Sequence, residues 1–204
     1  AIIRHMMATE ETTNVAARLV RMARQRPDAV AVVEPRGYDA TGKRQYAQMT
    51  FAELDRDTDR IARGLRELGV QPGTRLALLV RPGIDFIALV FGLFKAGAVA
   101  ILIDPGMGRR NLIRCLAEAE PEGFVAVPVV HAIRVLLPGK FPKSRFHVTV
   151  GRRWFWGGTT LAKLRQTTRQ GSELAGTAAD DSAAIIFTTG STGPPKGVLY
   201  SHGN

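Results

Sequence analysis

Two hydrophobic rhythms alternate along this chain, one at helical spacing and one of short unbroken apolar runs. Asn14–Arg26 carries the helical rhythm and stops at Pro27, which cannot continue a helix. Ala29–Val33 reads as a strand, and the polar, turn-rich stretch Pro35–Arg44 as a hairpin or surface loop. Thr50-Phe-Ala-Glu53 is a capping box, in which the Thr50 hydroxyl accepts from the amide three residues on and Glu53 reaches back. Leu54, Ile61, Leu65 and Leu68 follow at helical spacing, and Gly69 stands where a left-handed closing residue is wanted.

Arg75–Val80 and Val99–Ile103 are unbroken apolar runs and predict strands buried on both faces. Between them Ile84–Lys95 is apolar almost all round, which predicts a buried helix. Arg109–Glu120 predicts a helix ended before Pro121, and Phe124–Val127 a further strand. From there to Gly171 the rhythm is too weak to assign elements. A shift to small and acidic residues near Gly171-Ser172 suggests a connector before the last strands. Strand–helix–strand repetition with unbroken apolar strands predicts an α/β fold, a mainly parallel sheet covered by helices on both faces.

Composition changes this picture little. The 204 residues are 45% hydrophobic and 23% charged, an ordinary globular balance that excludes a disordered chain. Ile84–Ile103 is about long enough to span a bilayer, but Asp85 and Lys95 would each cost roughly 2.5–3.5 kcal/mol at the centre of a spanning helix. A buried helix, turn and strand is the stronger reading. A single cysteine, Cys115, excludes an internal disulfide, fits a cytoplasmic location and reads as a small helix residue. Residues 1–13 read as a cloning scar and N-terminal tail, with a natural start at Met6 or Met7.

Charge is more informative. The net charge is +10, and residues 123–172 hold nine Lys/Arg and no Asp or Glu, while the rest of the chain is nearly neutral with 19 basic and 18 acidic residues. Such a segment attracts anions or is simply a solvated face. Within it, Arg152-Arg153-Trp154-Phe155-Trp156 could stack on bases, sit at a lipid interface, cover a long acyl substrate or meet another subunit. No nucleic-acid fold signature accompanies it, so no nucleic-acid partner is expected, whereas peripheral membrane contact stays open.

The densest chemistry lies in Phe187-Thr-Thr-Gly-Ser-Thr-Gly-Pro-Pro-Lys-Gly-Val198, flanked by the apolar runs Ala183–Ile186 and Val198–Tyr200 and therefore read as strand–loop–strand. Gly190, Gly193 and Gly197 let backbone N–H groups approach an anion closely. Thr188, Thr189, Ser191 and Thr192 add hydroxyl donors, Lys196 adds a positive charge, and the two prolines stiffen the loop. It is not a Walker loop, because no Gly-Lys-Ser/Thr leads into a helix. Hydroxyls and Lys196 must then replace the helix dipole in holding a polyphosphate.

This string resembles the signature loop of the adenylate-forming superfamily: acyl-CoA synthetases, peptide-synthetase adenylation domains and luciferases. Met49-Thr-Phe-Ala-Glu-Leu54 resembles the start of that family's first core helix, and Phe94-Lys-Ala-Gly-Ala-Val-Ala-Ile-Leu-Ile-Asp-Pro105 its second core motif. Residues 188–204 and the context of Asp104 look like the β-lactone synthetases of bacterial long-chain olefin biosynthesis. The resemblance implies ATP and Mg2+, attack of a carboxylate on the α-phosphorus, and an acyl-adenylate with release of pyrophosphate. In the olefin branch a β-hydroxyl then closes a β-lactone and releases AMP. In the acyl-CoA branch a thiol attacks instead. It implies a long-chain β-hydroxy acid as substrate and other olefin-pathway enzymes as partners.

By the same resemblance Thr188, Thr189, Gly190, Ser191, Thr192, Gly193 and Lys196 hold the ATP phosphates. His202 and Asn204 are weaker candidates beside them, and Asp104 is a turn residue. Residues 14–204 would be the N-terminal portion of the AMP-binding domain, the N-terminal part of the large domain of such an enzyme. The catalytic residues, the metal-binding acid and the small C-terminal domain would lie after Asn204, so this stretch alone is not expected to catalyse adenylation.

Overall fold

The computed structural model describes residues 13–137, 139–167, 174–188 and 195–204. Helix α1 (Ala17–Gln25) leads into an antiparallel hairpin of β1 (Val30–Tyr38) and β2 (Arg44–Thr50). The first strand is longer than its apolar pattern predicts, because it runs through Pro35 beside a register shift, where a ladder tolerates a missing N–H. Helix α2 (Phe51–Glu67) begins as the sequence dictates: the Thr50 hydroxyl accepts from Glu53 N at 3.2 Å, and Glu53 Oε2 accepts from Thr50 N at 2.8 Å. Gly69, just beyond it, adopts φ +93°.

A seven-stranded sheet follows. Its strands are β3 (Arg75–Leu79), β4 (Val99–Ile103), β5 (Gly123–Ala126), β6 (Phe146–Thr149), β7 (Thr159–Thr160), β8 (Ser182–Thr188) and β9 (Lys196–Ser201). They lie in the order β7-β6-β5-β3-β4-β8-β9, all parallel except the β8–β9 pair. Helices α3 (Ile84–Ala96), α4 (Arg109–Ala119), α5 (Pro128–Leu136) and the short α6 (Leu161–Leu164) complete the chain.

Side chains alternate across the sheet with period two, so each strand feeds two cores. Leu76, Leu78, Ala100, Val125, Val148 and Ala184 face α1, α2, α3 and α6 in the larger core. Ala77, Ile101, Ile103, Phe124 and Phe187 face α4 with Cys115, Leu116 and Ala119, and Val130 of α5 packs at its margin. Cys115 is fully buried, as expected of a small helix residue. Helices α2 and α3 cross closely enough that a Cβ on Gly92 would sit 2.5 Å from Ile61 Cγ2. Two charges are placed inside this packing. Lys95 of α3 meets Asp55 and Asp59 of α2, and Glu34 of β1 accepts from Ile84 N at 2.9 Å at the amino end of α3. Among the described residues no helix is long and apolar enough to cross a membrane.

The segment without a clear rhythm holds a buried aromatic–histidine cluster. His131 of α5 is fully buried, hydrogen-bonds Val148 O at 3.0 Å and stacks on Trp156 at 5.6 Å between ring centroids. Desolvation lowers the His131 pKa. Desolvation, with the Arg134 charge and His131 adding to it, lowers that of His147 to about 4. The unfolded chain therefore takes up protons near 6.5 that the folded chain refuses until about 4. Stability present above pH 6.5 is lost as the pH falls toward 4. His147→Gln is expected to flatten that loss, read as the denaturant midpoint at neutral and mildly acidic pH. An unchanged pH slope would show that His147 does not couple to folding.

Candidate functional site

Strands β8 and β9 form an antiparallel pair that carries Thr188 and Lys196 of the candidate loop. Their ladder runs from Ser182↔Ser201 at one end to Thr188↔Lys196 at the other. Thr188 and Lys196 thus stand side by side at the carboxyl edge of the parallel strands, both exposed. Thr189, Gly190, Ser191, Thr192 and Gly193 lie outside the described residues. No described carboxylate lies within 4 Å of the Lys196 ammonium. A cation with no described carboxylate beside it, next to a hydroxyl and at the mouth of the sheet, suits a multiply charged anion.

The two weaker candidates are carried elsewhere. Strand β9 runs away from the loop: its five steps of ~3.4 Å from Lys196 to Ser201 span about 17 Å, and His202 and Asn204 follow that far end. His202 is buried. Its Nδ1 accepts from Val15 N at 3.3 Å, and its ring meets Phe94 edge-on at 6.2 Å. Asn204 Oδ1 accepts from Ser201 N at 2.8 Å and closes the strand. His202 holds the far end of the hairpin to the N-terminal segment, Asn204 closes back on Ser201, and neither is brought to Thr188 or Lys196. Adjacency in sequence misleads here because an extended strand separates its ends as far as a backbone can.

The structure adds what no local pattern announced, a cavity of ≈ 710 Å³ at the same carboxyl edge. Leu79 at the end of β3 with Val80, Arg81 and Pro82 beyond it, Ile103 at the end of β4 with Asp104 beyond it, and Val127 after β5 form its wall, with Phe187 and Thr188 of β8. Phe86 of α3, Leu112 of α4 and Val130 of α5 close its sides. Arg81 and Asp104 are the charged residues of this lining, and Asp104 is engaged locally, accepting from Gly106 N at 2.8 Å as the cap of a one-turn 3-10 helix. That is the turn role its sequence context suggests.

Topology explains the location. The chain leaves β3 toward β4 but leaves β5 toward β6 in the opposite direction, so helices diverge from between β3 and β5. Ligands of open α/β sheets bind outside the carboxyl ends of the strands at such a switch point. An apolar cavity and the Thr188–Lys196 end of the hairpin therefore share one edge, with Thr188 common to both. That pairing suits a molecule with an apolar body whose polar end meets a phosphate chain. Among the described residues no group of three or more His, Cys, Asp or Glu is placed to hold a metal ion.

The profile of the AMP-binding enzyme family matches residues 19–204. The olefin beta-lactone synthetase of Xanthomonas campestris pv. campestris is 49% identical over 93% of this chain and 34% of its own length. That of Stenotrophomonas maltophilia is 47% identical over 93% of this chain and 35% of its length. The long-chain-fatty-acid–CoA ligase FadD13 of Mycobacterium tuberculosis is 29% identical over 89% of this chain. The chain thus spans about a third of the length of these curated relatives. Among solved structures, acetoacetyl-CoA synthetase from Streptomyces lividans superposes with a TM-score of 0.77 at 23% identity, over 93% of this chain and 30% of that one. This last likeness is one of fold.

Proposed function

This chain belongs to the AMP-binding enzyme family, and we propose that it carries the phosphate-gripping loop of an enzyme that activates a long-chain β-hydroxy carboxylic acid with ATP. The carboxylate oxygen attacks the α-phosphorus, and the bond to pyrophosphate breaks. The β-hydroxyl oxygen then attacks the activated carbonyl, gives up its proton and expels AMP, closing a β-lactone. Bound Mg2+ would supply charge neutralisation on the phosphates.

The residues of this chain bind and orient. Thr188 and Lys196, with residues 189–193, hold the β- and γ-phosphates by hydroxyl, amide and ammonium donors, and stabilise charge as pyrophosphate departs. The observation that carries the reading is the Thr188–Lys196 hairpin end beside an apolar cavity, where no described carboxylate pairs with the lysine. The olefin branch is favoured because relatives of that name share 47–49% of residues, against 29% for a fatty-acid–CoA ligase. A cytoplasmic enzyme working beside others that make and consume its β-hydroxy acid and lactone fits this reading.

The second reading, an acyl-CoA ligase, has the same first step and a thiol acceptor. Product analysis separates the two. The full-length protein with a β-hydroxy acid, ATP and Mg2+ is expected to yield the lactone and AMP without CoA. A thioester formed only when CoA is present would assign the second reading instead.

A further inference from the structure

We propose that the carboxyl edge of the sheet docks on an anionic lipid surface through Arg152, Arg153, Trp154 and Phe155. These residues lie in the loop after β6, so they leave the sheet at the same edge as the cavity and the phosphate hairpin. All four are exposed, Trp154 by 57% and Phe155 by 73%. A soluble surface rarely presents two adjacent large aromatics without a use for them.

The loop is a built feature. Trp156 is buried, donates to Thr149 Oγ1 at 3.0 Å and stacks on His131. Trp154 and Phe155 hold their rings 5.4 and 5.2 Å from Trp156, so the two exposed rings rest on a fixed base. The same first turn of α5 ties them to the cavity. Val130 lines the cavity, His131 seats Trp156, and Val129 is exposed at the start of an outward aliphatic row with Ile133 and Leu136.

Charge selects the partner. Residues 123–172 contain no acid at all. Lys143, Arg145 and Arg165 of this segment are spent on Glu120, Glu122 and the Asp57–Asp85 pair. Arg152 and Arg153 have no carboxylate partner among the described residues. Arg153 donates instead to Gly158 O, which holds its guanidinium in the loop. Guanidinium groups beside indole and phenyl rings and an aliphatic row match phosphate headgroups above acyl chains. Bases would use the rings but leave the aliphatic row without a partner.

The geometry also offers a reason for the contact, which rests on the proposed long-chain substrate. An acid dissolved in the bilayer would meet the cavity mouth without crossing water. The loop sits four strand spacings from β8, about 19 Å, so it can be altered without touching the phosphate hairpin.

Sedimentation of the full-length protein with vesicles tests this without ATP, and so independently of the activity. Phosphatidylcholine vesicles containing about one third phosphatidylglycerol are expected to retain it, plain phosphatidylcholine far less, and added salt should release it. Arg152→Glu with Arg153→Glu should weaken retention at least about tenfold. Trp154→Ala with Phe155→Ala should weaken it comparably and abolish a blue shift of tryptophan fluorescence on the vesicles. Both double variants should keep the parent's melting temperature and its pyrophosphate release with a short, water-soluble acid. Failure of the parent to bind anionic vesicles would overturn the proposal. So would equal binding by both double variants, or displacement from the vesicles by single-stranded RNA.

Discussion

Lys196→Ala in the full-length protein is expected to slow pyrophosphate release by about a hundredfold, the scale on which loss of one preorganised donor to a charged transition state is felt. The side chain is exposed at the first residue of β9, in register with Thr188, and no described acid neutralises it. Its removal therefore costs the fold little, and the melting temperature should stay where it is. Charge builds on the phosphates as the bond to pyrophosphate breaks, so the loss should fall mainly on kcat rather than on KM for ATP. Lys196→Arg keeps the charge but not the compact ammonium, and should recover part of the rate. An unchanged rate in Lys196→Ala would remove the phosphate-loop assignment.

Lys95→Ala should destabilise the full-length protein by about 3–5 kcal/mol, the cost of breaking a buried ion pair by removing one partner. The Lys95 side chain is fully buried, and its ammonium lies against Asp55 Oδ1 at 2.5 Å, Asp55 O at 3.1 Å and the Asp59 carboxylate. Without it Asp55 and Asp59, one helical turn apart on α2, lose the ammonium that bridges them. Each keeps about a fifth of its side chain in solvent, at 21% and 23%, which places the cost toward the lower end of that range. Lys95→Met combined with Asp55→Asn and Asp59→Asn removes charge from both sides and should recover most of the loss. The denaturant midpoint is the measurement. A Lys95→Ala protein as stable as its parent would mean that the triad contributes nothing to the α2–α3 contact.

Several elements were legible because their cause is local. The Thr50–Glu53 box, the unbroken runs of β3 and β4 and the all-round apolar α3 are written in neighbouring residues, and the structure has them where the pattern puts them. The two strands around residues 189–195 were legible for the same reason, since each is an apolar run beside a glycine- and proline-rich stretch. Strands β6 and β7 were not. They have four and two residues, and what makes them strands is the ladder offered by a neighbour, β5 for β6 and β6 in turn for β7. The isolated segment has no periodicity to reveal it.

Chemistry divides in the same way. The proposed anion site rests on one contiguous string, because amide, hydroxyl and ammonium groups bring their chemistry with them. Where those groups stand could not be read from it. The cavity takes its walls from the ends of four strands and the sides of three helices, and it exists only because the order β5-β3-β4-β8 brings those ends together. His202 looked close to the loop and is buried at the far end of β9, while Lys95, in sequence only a charge too costly for a spanning helix, is held by two acids from another helix. Short-range patterns encode backbone preference and side-chain type. Distance, burial and the pairing of charges arise from long-range packing, which no window along the chain contains.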